Sequence, residues 1–210
     1  MNIVCFGDSN THGYNPVNGG RFDKDTRWTG RLQNLLGEEY YVIEEGLSGR
    51  TTVFEDPIHE GLSGFNYIYP CLMTHEPIDL LIIMLGTNDT KERFGASASV
   101  ISLGLSRLIK KVQESKVAFR DNKPNILVVA PLPIRPEINT VECYYTMGKG
   151  CSEKSYEIIS MYEKVANELG CQFFDPSPYA ICSDYDYMHL DEKAHNILAN
   201  KLYEFIKIRG

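Results

Sequence analysis

Short apolar runs alternate along the chain with longer stretches in which apolar residues recur at helical spacing. Residues 80–85 are apolar at every position, and residues 125–130 are apolar after the first. Both patterns are typical of strands that are buried on both faces of a parallel sheet. Further strands are predicted at residues 2–6, 40–45 and 171–174. Helices are predicted at residues 28–36, 96–119, 152–169 and 191–208.

This alternation of strand and helix predicts an α/β protein, a parallel sheet with helices on both faces. The length of 210 residues is sufficient for a single domain over residues 1–210. Two connections, residues 47–77 and 131–151, are long for such a fold. Long ordered loops are usually functional lids or contact surfaces, so both connections are candidates for such a role.

The charge and hydropathy of the chain exclude several classes of partner. Lys and Arg total 21 against 28 Asp and Glu, which gives a formal net charge of −7. No basic cluster stands out, so nucleic acid is not an expected partner. No apolar run approaches the roughly 18 residues of a spanning helix, so no membrane partner is expected. Because the N-terminus lacks the features of a secretion signal, we expect a cytoplasmic protein.

The cysteines and the glycines indicate no metal and no organic cofactor. Six cysteines are scattered without a C-x-x-C pair: Cys5, Cys71, Cys143, Cys151, Cys171 and Cys182. Structural zinc needs close ligand pairs, and the spacing of Asp184, His189 and His195 matches no zinc signature. Neither G-x-G-x-x-G nor G-x-x-x-x-G-K-[ST] is present. We therefore expect no metal, and we expect no cofactor.

The residues that follow the predicted strands are the candidates for chemistry, because ligands of open parallel sheets bind beyond the carboxyl ends of the strands. Gly7-Asp8-Ser9 follows the first strand and begins a helix. At a helix start the backbone N–H groups are free and the dipole favours negative charge. Ser9 is therefore a candidate nucleophile. The alternative is that the segment is an ordinary helix cap.

Gly46 and Asn88 follow two further strands and are candidate donors to an oxyanion. A glycine lets the backbone approach a ligand closely and offers its N–H. An asparagine carries an NH2 donor on a short stem. With the backbone N–H of Ser9, these groups would form an oxyanion hole. The alternative in each case is a plain turn.

His189 precedes the last predicted helix and is a candidate general base near neutral pH. Asp186 lies three residues earlier, where its carboxylate can reach the Nδ1–H of the ring. It would then fix the tautomer and stabilise the imidazolium. Asp184, five residues before the histidine, is the alternative orienting acid. The alternative for His189 itself is a surface histidine in an acidic stretch.

Four residues close in sequence to these motifs are candidate substrate contacts: Asn10, His12, Tyr14 and Trp28. For Trp28 the alternative is a core anchor for the first long helix.

Together these segments resemble the GDSL, or SGNH, hydrolase superfamily, whose four blocks they match in order across nearly the whole chain. The blocks are Gly7-Asp8-Ser9, Gly46, Gly86-Thr87-Asn88-Asp89 and Asp186-Tyr187-Met188-His189. The resemblance implies a three-layer α/β/α, flavodoxin-like fold with about five strands. It also implies a catalytic Ser9, Asp186 and His189, with Ser9, Gly46 and Asn88 as the oxyanion hole.

The segments around residues 27–30, 42–52 and 82–91 resemble the bacterial arylesterase/acyltransferase branch of the superfamily. This implies hydrolysis of small esters, transfer of acyl groups in some members, and a homo-oligomer whose loops wall the site. The chain departs from that branch at Asn10, His12 and Tyr14, where the branch is more apolar.

The function predicted is a serine esterase that hydrolyses small carboxylic esters through an acyl-enzyme, with a small-molecule ester as substrate. Three alternatives remain open at this point. The first is a carbohydrate O-deacetylase, because Asn10 and the tyrosine-rich loops suit a sugar. The second is an α/β-hydrolase, although no G-x-S-x-G is complete. The third is a non-catalytic flavodoxin-like binding domain, although no phosphate-binding motif is present.

Overall fold

The computed structural model, which describes residues 1–209 apart from the side chain of Arg209, contains a five-stranded sheet in the order β2-β1-β3-β4-β5. All four neighbouring pairs are parallel. The strands are β1 (Asn2–Gly7), β2 (Tyr41–Gly46), β3 (Leu80–Met84), β4 (Ile126–Val129) and β5 (Gln172–Phe174). The predicted fold class is therefore confirmed, and each predicted strand is present within one or two residues of its expected bounds.

Seven α-helices are present in the described part of the chain. They are α1 (Ser9–His12), α2 (Trp28–Leu36), α3 (Gly64–Thr74), α4 (Ala98–Glu114), α5 (Tyr144–Met147), α6 (Cys151–Glu168) and α7 (Glu192–Arg209). None of those in residues 1–209 combines the length and the apolar composition that a bilayer crossing requires. Helix α4 is shorter than the pattern at 96–119 predicts, because two short 3-10 turns, Lys116–Ala118 and Arg120–Asn122, follow it.

The sheet separates two apolar cores, because successive side chains of a strand point to opposite faces. On β1, Val4 and Phe6 pack in one core with α3, α4 and α6. Ile3 and Cys5 pack in the other core with α2 and α7. The central strand β3 contributes to both cores and is buried at every position.

Helix α3 lies inside the connection at residues 47–77, where the sequence pattern predicts no helix. Pro70 lies within it, and proline lacks the N–H of a regular helix. Ile68 and Leu72 are nevertheless fully buried in the same core as Phe6. Tertiary burial therefore stabilises a helix that local propensity does not favour.

The strand order places β1 beside β3, although the helices that follow them, α2 and α4, pack on opposite faces of the sheet. Such a reversal opens a crevice beyond the carboxyl ends of the strands. The register pairs Gly7 with Met84. The two segments that follow therefore enter the crevice side by side, one carrying Ser9 and the other Asn88.

We expect Ile82→Ala in β3 to lower the free energy of unfolding by about 2–5 kcal/mol, because the fully buried side chain leaves a cavity when it is truncated. Urea denaturation measures this change. The matched control is Leu103→Ala in α4, whose side chain is 67% exposed, with a change below about 0.5 kcal/mol. Equal losses in the two variants would contradict the burial of β3.

Candidate active site

Ser9 is the first residue of α1, directly beyond the end of β1. The Asp8 carboxylate caps this helix, because its Oδ1 accepts the backbone N–H of Asn10 at 2.9 Å. Gly7 is required before it, since a Cβ there would overlap the Thr11 side chain and lie 2.9 Å from the carbonyl oxygen of Met84. The backbone N–H of Ser9 precedes the hydrogen-bond ladder of α1 and is available to a ligand.

The loop before α7 carries His189 to this serine. The Ser9 Oγ and His189 Nε2 atoms are 2.9 Å apart, and His189 Nδ1 lies 2.6 Å from Asp186 Oδ2. The other carboxylate oxygen, Asp186 Oδ1, accepts hydrogen bonds from Ser183 Oγ and from the backbone N–H groups of Met188 and His189. The three side chains therefore have the geometry in which a serine can transfer its proton to a histidine that is oriented by an acid.

Asp186 remains ionised under ordinary conditions. Burial alone would raise its pKa, but the hydrogen bonds and the charge of His189, with the backbone donors, outweigh burial and lower the pKa to about 2. Asp184, the alternative orienting acid, forms an ion pair with Arg135 instead, and its side chain is 86% exposed. The structure thus places Asp186, and not Asp184, against the histidine.

Asn10 does not line the site as expected, and the reason is its burial. Only 3% of the residue is exposed, and its Oδ1 accepts the backbone N–H of Leu190 at 2.9 Å. Its Nδ2 lies 3.5 Å from the carbonyl oxygen of Met188. Asn10 therefore joins α1 to both neighbours of His189, and it positions the histidine instead of contacting substrate.

Asn88 follows β3 and directs its side-chain amide into the same region. One of its N–H groups donates to the carbonyl oxygen of Arg50 at 3.1 Å, which leaves the second N–H for another acceptor. The adjacent Asp89 accepts the backbone N–H of Thr52 at 2.9 Å. These contacts hold the segment after β3 against the segment after β2.

The structure does not place Gly46, the predicted oxyanion donor, on the cavity that Ser9 lines, so this prediction is revised. It ends β2 against α1, and a Cβ there would lie 2.6 Å from His12 Cα. Gly49, three residues further on, lines the cavity. It lies in a turn closed by the Arg50 N–H and the Leu47 carbonyl, with a φ of 89°.

Gly49 is therefore a candidate backbone donor that the sequence pattern missed. Its N–H has no acceptor within residues 1–209. The signal that could have identified it is the second glycine of Gly46-Leu47-Ser48-Gly49, since a turn residue with positive φ favours glycine.

Arg50 anchors the backbone beneath these donors. Its guanidinium donates to the carbonyl oxygens of Gly7, at 3.0 Å, and of Glu45, and it stacks on the Phe6 ring at 4.3 Å. Only 3% of the residue is exposed. The ends of β1 and β2 are thereby held together by one buried cation.

A cavity of about 780 Å³ connects these groups, and Ser9, Gly49, Asn88 and His189 all line it. Further walls come from the two long connections, through Ile58, His59, Leu62 and residues 145–147. The long connections thus contribute to the site, as their length suggests.

Of the remaining candidate contacts, only Tyr14 lines this cavity. The centroid of its ring lies 4.4 Å from that of His189. Trp28 is fully buried and packs in the core beneath α2 and α7, so it is a core anchor. His12 does not line the cavity, because it lies at the end of α1 on the side that faces Gly46.

One cluster of side chains outside the cavity consists of residue types that can bind metal ions. The ligand atoms of Glu45, Cys71 and His75 lie within 4.8 Å of one another. The His75 Nε2 and Glu45 Oε1 atoms already contact at 2.7 Å. Burial, with the charge of Glu45, raises the pKa of the Cys71 thiol to about 12, so the thiol is protonated at neutral pH while no metal is bound.

A family model for GDSL-like lipases and acylhydrolases matches residues 5–197. The chain belongs to this family. The match confirms two predictions from the sequence. One is the family, and the other is the enzyme class, a carboxylic ester hydrolase. The segment Gly7-Asp8-Ser9, which lies within the matched residues, is at the centre of the geometry described above.

Two solved structures share the whole fold. The native aryl esterase of M. smegmatis is 38% identical, with a TM-score of 0.92 and coverage of 99% of both chains. A carbohydrate acetylesterase from Sinorhizobium meliloti is 34% identical, with a TM-score of 0.91 and coverage of 100% of both chains.

A longer relative is an acetylxylan esterase from Xylanibacter ruminicola, which is 26% identical over 83% of this chain. The chain spans only 36% of that curated relative.

We expect Asp186→Asn to lower kcat for 4-nitrophenyl acetate by about 10⁴, because a neutral amide does not stabilise the imidazolium and its NH2 group can donate to Nδ1, which favours the wrong tautomer of His189. The matched control is Asp184→Asn, which should retain most of the activity, since its carboxylate is exposed. Steady-state kinetics of the two variants decide between the acids, and a larger loss in Asp184→Asn would reverse the assignment.

Proposed function

We propose that this family member is a serine esterase that hydrolyses small carboxylic esters through an acyl-enzyme. The observation that carries the proposal is the chain of contacts Ser9–His189–Asp186, at 2.9 and 2.6 Å, in a cavity that Asn88 and Gly49 also line. A nucleophile, a base and donors for an oxyanion are the components that acyl transfer requires.

In the proposed first step, Ser9 Oγ forms a bond to the ester carbonyl carbon while His189 Nε2 takes the hydroxyl proton. The carbonyl electron pair moves onto its oxygen, which accepts hydrogen bonds from the N–H groups of Ser9 and Gly49 and from Asn88 Nδ2. Asp186 stabilises the imidazolium that forms.

In the second step, the bond between the carbonyl carbon and the alcohol oxygen breaks, and His189 returns its proton to that oxygen. The acyl group remains on Ser9. Water then attacks the acyl-enzyme while His189 takes its proton. The bond between the carbonyl carbon and Ser9 Oγ breaks, His189 returns the proton to Ser9 Oγ, and the acid is released. An alcohol that reaches the acyl-enzyme in place of water would receive the acyl group, so acyl transfer is part of the proposal.

The cavity walls support small aryl or short acyl groups as substrate. Ile58, Leu62, Met147 and Met188 supply apolar surface to the cavity. Burial of such surface favours apolar groups by about 25 cal/mol per Å².

The second candidate is a carbohydrate O-deacetylase. Tyr145 lines the cavity and is 89% exposed, which suits stacking against a sugar ring, and two of the similar proteins are named as acetyl esterases of carbohydrates. The comparison that separates the candidates is kcat/KM for acetylated xylo-oligosaccharides against phenyl acetate.

We expect Ser9→Ala to abolish the turnover of 4-nitrophenyl acetate, because no nucleophile remains beside His189. Asn88→Ala should lower kcat by about 10²–10³, which is the usual loss for one oxyanion donor. Intact-mass spectrometry after a short reaction should find the acyl group on the wild type and not on Ser9→Ala.

The matched control is Ser48→Ala, since Ser48 lines the same cavity but has no histidine partner among the described residues. It should still form the acyl-enzyme. If acylation persists in Ser9→Ala and disappears in Ser48→Ala, the nucleophile is Ser48 and the mechanism above is wrong.

A further inference from the structure

The cavity carries a positive charge that the proposed mechanism does not use. The chain has a formal net charge of −7, yet Lys91 and Arg93 line the cavity and no Asp or Glu among the described residues does. Both cations lie on the segment that follows Asn88, so they belong to the same wall as the oxyanion donor.

Of the two cations, Lys91 has fewer hydrogen-bond partners. Only 6% of the residue is exposed, and among the described residues Asp56 is the one carboxylate within salt-bridge distance of it. The separation of Lys91 Nζ and Asp56 Oδ2 is 3.6 Å, which is longer than a direct hydrogen bond. An ammonium has three N–H donors. The lysine therefore has donor capacity that its protein partner does not fill.

Arg93 contacts the same carboxylate, that of Asp56, at a shorter distance. Its Nη2 lies 2.7 Å from Asp56 Oδ2, and its Nη1 donates to the carbonyl oxygen of Thr146 at 3.2 Å. Its Nε is buried and has no acceptor among the described residues. Asp56 also accepts the backbone N–H of Ile58, so its carboxylate is already in use.

A purely structural role accounts for only part of this arrangement. Arg93 ties together the loops of Asp56 and Thr146, and it needs only one carboxylate for that purpose. Lys91 shares that carboxylate at the longer distance of 3.6 Å, so two cations face one anion. Two cations beside one carboxylate leave an excess of positive charge at this wall, and burial together with the charge of Arg93 lowers the pKa of Lys91. An anionic ligand group in the cavity would offset both effects.

We propose that this cavity takes esters that carry a carboxylate, which Lys91 and Arg93 bind while the ester lies at Ser9. This inference rests on the proposed esterase function and narrows its substrate class. The carboxylate can belong to the acyl part, as in the half-ester of a dicarboxylic acid, or to the alcohol part, as in an acetylated hydroxy acid.

The test compares each charged ester with a neutral ester of the same shape. For the acyl part the pair is 4-nitrophenyl hydrogen succinate and 4-nitrophenyl methyl succinate. For the alcohol part the pair is 4-acetoxybenzoate and 4-acetoxybenzamide. The readout is the ratio of kcat/KM for the charged ester to that for the neutral ester, in the wild type, Lys91→Met and Arg93→Gln.

We expect Lys91→Met to lower this ratio about tenfold in one of the two pairs, which is the order of a hydrogen bond between charged groups. The pair that responds identifies the part of the substrate that carries the carboxylate. The wild-type ratio should also fall as NaCl is raised, because salt screens the attraction. The control is Lys110→Met, which removes the same charge from an exposed position on α4.

An unchanged ratio in both pairs, or an equal fall in Lys110→Met, would overturn the inference. If Lys91→Met does not fold, Arg93→Gln and the salt series in the wild type decide the question in the same way. Hydrolysis of the neutral esters that is lost in Ser9→Ala would leave the proposed function intact even if the inference fails. If the wild type hydrolyses neither member of either pair, both the proposed function and the inference are wrong.

Discussion

The hydrogen bond from Ser9 to His189 is the interaction on which the rest of the site depends, and it joins two residues that are 180 positions apart. Neither side chain lies on a long helix or a strand that would hold it rigidly. The loop before α7 is instead fixed at two points. Asn10 accepts the N–H of Leu190, and the N–H of Ser183 donates to the His189 carbonyl at 2.8 Å. The fold thus aligns the serine and the histidine through the backbone on both sides of the ring.

Buried charged groups support the proposed oxyanion donors in a comparable way. Arg50 joins the ends of β1 and β2, and Asp89 holds Thr52 against the segment after β3. Burial of a charge is costly unless hydrogen bonds compensate it, so each group strongly favours one arrangement of its loop. Gly49 and Asn88 can therefore remain at an open cavity and still be well positioned, because the contacts that fix their segments lie behind them. The contacts that stabilise the site are therefore distinct from the surface that meets the substrate.

The two long connections supply much of the cavity wall. The sheet that carries Ser9 is shared with proteins of different stated specificity. The TM-scores with an aryl esterase and with a carbohydrate acetylesterase are nearly the same, 0.92 and 0.91. Similarity of fold therefore does not discriminate between substrates. Discrimination has to come from side chains that reach the cavity from these connections and from the segment after β3, and Lys91, Arg93 and Tyr145 are such residues in this chain.

The sequence by itself determined the strands, the long helices, the family and the positions of Ser9 and His189, because those features depend on local periodicity and on short motifs at strand ends. Tertiary structure decided which loop groups meet. Gly46 and Gly49 are both plausible donors in a linear pattern, and only the packing of β2 against α1 and the turn that follows show which of them reaches the cavity. Helix α3, with its internal Pro70, forms because tertiary burial outweighs local propensity. The convergence of cations on one carboxylate was also invisible in the sequence, since side chains that are far apart along the chain are brought together by the path of the loops and not by their spacing.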